Sequence, residues 1–200
     1  MDGVFMRKFV KICSLILVVF SLGWLCGLFQ QGQTLKENVI RLHVVANSDS
    51  EEDQALKLQV RDAVTENLQK ALEGIPTVEE ARAYLKSHLQ ELEDLVNRVI
   101  RQAGFPQSAT VTLAREEFGT RDYDTFSLPA GVYESLRITI GEGRGKNWWC
   151  VVFPSLCLPA TSDGFANTAA GAGFDKDLSN TLQKKDGYEI RFFLLDVLGN

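Results

Sequence analysis

The sequence predicts an α+β fold: a mixed or antiparallel sheet of about four to five strands, two long helices packed on one face, and an N-terminal membrane or signal segment. Three observations carry that expectation. Residues 38–46 and 131–140 alternate apolar and polar side chains, the period of a strand with one face in a core. Residues 51–72 and 78–100 repeat apolar side chains by threes and fours, the period of a helix with one apolar stripe. Residues 147–153, Asn-Trp-Trp-Cys-Val-Val-Phe, are apolar on both sides, as in a strand that is buried on both faces or has half its surface waiting for a partner.

The N-terminus reads as a targeting segment. Arg7, Lys8 and Lys11 precede residues 12–29, which carry no charge. That length lies between a signal peptide and a short membrane-spanning helix. The basic flank belongs on the cytoplasmic side, which puts the residues after about 30 outside. Ser21-Leu22-Gly23 offers a small-x-small cleavage site, whereas Leu25 before Cys26 is wrong for lipoprotein processing. Export is expected and cleavage is left open. The chain then divides into residues 1–36 (segment and polar spacer), an exported α+β domain at 37–158, a flexible Ala/Gly/Ser/Thr/Asn-rich loop at 159–187, and a closing strand or short helix at 188–200.

Charge follows the same division. The net charge is −5, yet residues 1–36 hold +3, so the body is at −8. An acidic body lacks the surplus Lys and Arg that phosphate neutralisation requires, so no nucleic-acid partner is expected.

Within the body, Ile40, Leu42, Val44 and Ala46 share one strand face, and Arg41 and His43 punctuate the other. Asn47-Ser48-Asp49-Ser50 stops the strand and supplies N-cap oxygens. Glu51, Glu52 and Asp53 fall in the first helical turn, where the dipole favours acids. Leu56, Val60, Val64 and Leu68 make the stripe, and Gly74-Ile75-Pro76 ends the helix. A capping box, Thr77-Val78-Glu79-Glu80, starts a second helix that runs unbroken to Gly104-Phe105-Pro106. Residues 109–115 read as a strand and 116–128 as a polar connection. After Pro129-Ala130-Gly131, Leu136, Ile138 and Ile140 point one way, and Tyr133, Ser135, Arg137 and Thr139 the other.

Gly141, Gly143 and Gly145 form a spaced-glycine loop. A phosphate cradle needs a helix after its glycines, and here a strand follows, so a long hairpin is expected instead. On that second strand Trp148 and Trp149 point to opposite faces. One is expected in the core with Ile138 and Ile140, the other free for a partner.

Catalytic signals are sparse. His43 and His88 read as surface residues of a strand and a helix, with no Cys or carboxylate at ligand spacing, so neither zinc nor another cofactor is expected. Cys13 and Cys26 are small hydrophobes of the apolar segment. Cys150 and Cys157 are about 23 Å apart in a straight strand and about 10 Å in a helix, and a bridge needs about 7 Å. Pro154-Ser155 can turn the chain enough to bring them opposite, so a disulfide is left open. The enzyme alternative is an envelope hydrolase using carboxylates near Asp49 and Asp53 or Glu134 and Glu142, with His43 as base. Asp49 and Asp53 equally suit cap and dipole roles at a helix start.

The run Val39-Ile40-Arg41-Leu42-His43-Val44-Val45-Ala46-Asn47-Ser48-Asp49-Ser50, with Asp53-Gln54, resembles the opening of the stage II sporulation protein R family. So do Pro129-Ala130-Gly131-Val132-Tyr133-Glu134, Arg137-Ile138-Thr139-Ile140-Gly141, and Gly145-Lys146-Asn147-Trp148-Trp149-Cys150-Val151-Val152-Phe153-Pro154-Ser155-Leu156-Cys157. The resemblance covers about residues 38–157, and residues 188–195 resemble the family's closing segment. It implies an exported signal, not an enzyme. Such proteins are made in the forespore and cross its membrane. In the intermembrane space they activate a membrane-embedded aspartic protease that removes the pro-sequence of sigma-E. Arg41, Asn47, Asp49, Arg137, Asn147, Trp148 and Trp149 are the candidate partner-facing residues.

Overall fold

β1 (Ile40–Val45) is the strand on which the others are laid. It runs parallel to β5 (Gly131–Ile140) on one side and antiparallel to β6 (Asn147–Phe153) on the other. β2 (Ala109–Phe118) lies antiparallel outside β5, which gives a mixed four-stranded sheet in the order β2-β5-β1-β6. A two-stranded ribbon, β3 (Arg121–Asp122) with β4 (Ser127–Leu128), links β2 to β5. The computed structural model describes residues 9, 11–24, 36–122 and 127–154. The closing segments expected at 159–187 and 188–200, and Cys26 and Cys157, lie outside them.

Three helices stand against one face. α1 (Glu51–Ala71) begins where Ser50 accepts the Asp53 N–H at 3.2 Å, with three acids in its first turn. Its Leu56, Val60, Val64 and Leu68 meet Ile40, Leu42 and Val44 of β1 and Leu136, Ile138 and Ile140 of β5 in one core. Burial of each such side chain contributes about 1.5–3 kcal/mol.

The second expected helix is in fact two, α2 (Val78–Ser87) and α3 (Leu89–Gln102). Ser87 Oγ donates to the Ala83 and Tyr84 carbonyls, and the His88 ring donates to the Tyr84 carbonyl at 2.8 Å while stacking on the Tyr84 ring. Those side-chain bonds compete with the helical ladder and break it at His88. The apolar stripe continues across the break through Leu85, Leu92 and Val96, so its period gives no sign of it.

Two further expectations are corrected. β5 and β6 are not a hairpin, because β1 lies between them and pairs with both. His43 is not on the surface but only 5 % exposed, and all six residues of β1 are buried, because a central strand is covered on both faces.

The N-terminal unit is separate. Residues 11–24 are helical and expose Ile12, Leu15, Phe20 and Trp24. Among the described residues no helix is long and apolar enough to cross a membrane.

Candidate functional site

The sheet face away from the helices gathers a polar and aromatic cluster from four strands. The period of two sends Arg41 and His43 of β1, Glu116 and Phe118 of β2, Tyr133, Ser135 and Arg137 of β5, and Trp149 of β6 to this side. The Trp149 indole stacks on the His43 imidazole and meets the edge of Phe118 at 5.0 Å. His43 Nδ1 lies 3.2 Å from Glu116 Oε2, and Arg137 donates to Glu116 Oε1 at 2.8 Å. A carboxylate only accepts, so Nδ1 carries the imidazole proton.

Burial lowers the His43 pKa, and Arg137 works the same way, against the Asn147 amide and the Glu116 carboxylate, which favour the charged ring. Burial opposes the Glu116 charge as well. There the neighbouring Ser135 hydroxyl, Arg137 and His43 outweigh it and hold the carboxyl below its ordinary range. Arg41 is fully buried, its guanidinium 3.9 Å from the Phe118 ring centroid and 5.0 Å from that of Tyr133. Two ring faces offset part of the cost of burying that charge.

A second cluster joins the glycine loop to the end of β1. Gly145 N–H donates to the Ala46 carbonyl at 2.9 Å and Arg144 N–H to the Asn47 carbonyl at 3.1 Å. Asn47 Oδ1 accepts the Glu142 N–H, and Asp49 Oδ1 the Lys146 N–H. The approach leaves no room for side chains: a Cβ on Gly145 would lie 2.1 Å from the Ser48 carbonyl oxygen, and one on Gly141 (φ +55°) 2.2 Å from Asn47 Oδ1. Beneath this clamp Asp53 accepts from Ser48 Oγ at 2.5 Å, Asn47 Nδ2 at 2.8 Å and Gln107 Nε2 at 3.1 Å. The Ser48 hydroxyl above all, then Asn47, holds the Asp53 pKa below its ordinary value against the effect of burial. Lys57, also buried, reaches the Lys146 carbonyl at 3.0 Å.

The seven candidate partner-facing residues thus fall in three places. Arg41, Arg137, Asn147 and Trp149 share the far face, with Arg41 beneath its surface. Asn47 and Asp49 belong to the clamp. Trp148 lies on the helix side, packed against the core under the Arg61 guanidinium at 4.3 Å. The opposite-face expectation for the tryptophan pair therefore holds, with Trp148 as the core member. The far face is not bare, however: Tyr133, Ser135 and Val151 are buried there.

The acids proposed for a hydrolase are each committed to structural partners. Asp53 and Asp49 bond to the clamp, Glu134 is ion-paired with Arg82, and the exposed Glu142 pairs with Arg144. Glu134 precedes the end of β5 by six residues, about 20 Å, and Glu142 lies beyond that end, too far apart for a catalytic pair. His43 is oriented by Glu116 but sealed by Trp149, out of a substrate's reach. Among the described residues no group of His, Cys, Asp and Glu could hold a metal ion.

Sequence reasoning missed Glu116 and Phe118, placing them in a polar connection, whereas β2 runs to Phe118. The available signal was the alternation of Val111 and Leu113 with Glu116 and Phe118 on the other face. Cys150 is disulfide-bonded, and its partner lies outside the described residues.

Residues 36–163 match the family described as stage II sporulation protein R. Stage II sporulation protein R of Bacillus subtilis (strain 168) is 34% identical to this chain, over 98% of the chain and 99% of its own length. No solved structure matches the chain.

Proposed function

The chain belongs to the stage II sporulation protein R family and serves sporulation, and from that premise we propose that it is an exported intercompartmental signal of endospore formation. It crosses the forespore membrane, N-terminally anchored or secreted, and activates a membrane-embedded aspartic protease, which then removes the sigma-E pro-sequence. It is an activator and not itself a protease. The family match carries this reading, since it takes in the whole sheet, the clamp and the far-face cluster. The uncharged run behind Arg7, Lys8 and Lys11 supports export. The separate structural bonds of Asp49, Asp53, Glu134 and Glu142 favour a binding role over hydrolysis. The half-buried Trp149 ring, with Arg137 and Asn147 beside it, offers an aromatic anchor with a polar rim. Cys150, whose side chain belongs to the core side of β6, takes Cys157 as its disulfide partner in this reading.

The test is co-expression of the chain, the protease and the sigma-E precursor in a non-sporulating host. Precursor cleavage is expected only when all three are present. Cleavage without this chain, or none with it, would end the proposal.

A further inference from the structure

The outer edge of β2 is closed at two of its five outward-bonding positions and open at the other three. In its unbroken ladder with β5, even-numbered residues direct their N–H and C=O groups inward and odd-numbered residues outward. Two outward positions are met by α3. Asn97 holds both the N–H and the C=O of Ala109, and Glu93 accepts the Val111 N–H at 2.9 Å. The next outward positions, Leu113, Arg115 and Glu117, have no backbone partner on that side among the described residues. Arg115 and Glu117 are also exposed, with no ion-pair partner among those residues.

Such a row of unpaired groups is a template for another strand, and its details select a second copy of this chain. Antiparallel pairing about a twofold axis through Glu116 sets Arg115 opposite Glu117 of the second copy, and Glu117 opposite its Arg115. Both are outward-bonding positions, so each pair exchanges two N–H···O bonds and joins charges that are otherwise unpaired. Neighbouring registers fail. An axis through Ala114 would need the Val111 N–H that Glu93 already holds, and an axis through Arg115 or Glu117 would set a charge that has no ion-pair partner of its own among the described residues against its copy. On the axis each Glu116 keeps its own Arg137 and His43 as partners. α3 packs at the start of β2, so the two copies of α3 stand at opposite ends of the joint, about 40 Å apart.

We propose that β2 pairs with itself, joining two copies of this chain into one continuous sheet with a twofold axis at Glu116. The proposal is independent of the function proposed above. Sedimentation of the full-length chain in mild detergent should show a reversible dimer. Arg115→Glu and Glu117→Arg should each weaken it on the order of ten-fold by placing like charges opposite one another twice. The double variant should restore it, and at dilutions where every form is monomeric none of the three should shift thermal melting, because both side chains are exposed. Arg115→Pro removes one outward N–H without touching the inward ladder and should give a folded monomer. A wild-type chain that is monomeric up to about 100 μM would overturn the proposal. So would a dimer indifferent to the charge reversals, or one weakened by each and not rescued by both. A monomer whose double variant loses protease activation would assign the edge to a foreign strand, and likewise overturn self-pairing.

Discussion

The His43 imidazole lies face to face with the Trp149 indole, ring centroids 3.8 Å apart and planes 23° apart, on directly paired residues of neighbouring strands. The indole closes one side of a histidine whose Nδ1 is already committed to Glu116. A second proton would put a charge beneath that indole, out of reach of water.

That burial has a pH signature. The folded His43 pKa lies below the ordinary value of about 6.5. Between the two values the unfolded chain binds a proton that the folded chain refuses. The His43 contribution to stability is therefore complete above about pH 6.5 and lost as pH falls through the folded value. His43→Gln should flatten melting temperature against pH in that window. Losses linked to Glu116 and Asp53, whose folded values lie below the carboxylate range, remain at more acid pH. A wild-type melting temperature unchanged from about pH 7 to about pH 5 would contradict the assignment.

The two tryptophans should separate by readout. Trp148→Ala opens the core beneath Arg61 and should cost about 3 kcal/mol, a fall of several degrees in melting temperature. Trp149→Ala should also lower melting, since its ring packs on His43 and Phe118, and should raise the His43 pKa toward its ordinary value. NMR titration of the His43 ring protons checks this: an unmoved titration would mean the indole is not what buries the imidazole.

The clamp is expected to govern stability alone. Asp53→Asn replaces one of two accepting oxygens with an NH2 group that only donates, at a cost of about 2–3 kcal/mol. Gly145→Ala should cost more, because the atom it meets is a backbone oxygen that cannot swing aside. Denaturant midpoints give both costs, and protease activation per folded molecule should stay constant. If Asp53→Asn folded fully yet lost activity, the hydrolase alternative would return.

For Cys150, peptide mapping of non-reduced protein is expected to join it to Cys157, and Cys150→Ser to lower stability by about 2–3 kcal/mol. A crosslink from Cys150 to Cys26 would refute the pairing.

Much of this arrangement was legible because it is local. Ser50 and the acids after it mark the start of α1, and the period of two separates Arg41, His43, Tyr133 and Arg137 from the core residues between them. What the sequence withheld depends on contacts distant in the chain. Nothing in the β5 and β6 segments says that β1 will lie between them. The charges of Glu116 and Glu117 look like the start of a loop until Glu116 is seen between Arg137 and His43. The partner-facing candidates were chosen from conspicuous residue types, which cannot tell Trp149 on the far face from Trp148 under Arg61.

β1 is made early and paired late. Its ladders are with residues 134–139 and 147–153, so roughly ninety residues must follow it before the first can close. A chain that emerges N-terminus first thus carries its central strand without backbone partners until the sheet is almost complete. A copy truncated before residue 153 would leave the β6 side of that strand open, a target for proteases and for other chains. This order of assembly makes an intact chain the condition for a closed sheet, since a fragment that ends short of β6 keeps one edge of β1 bare.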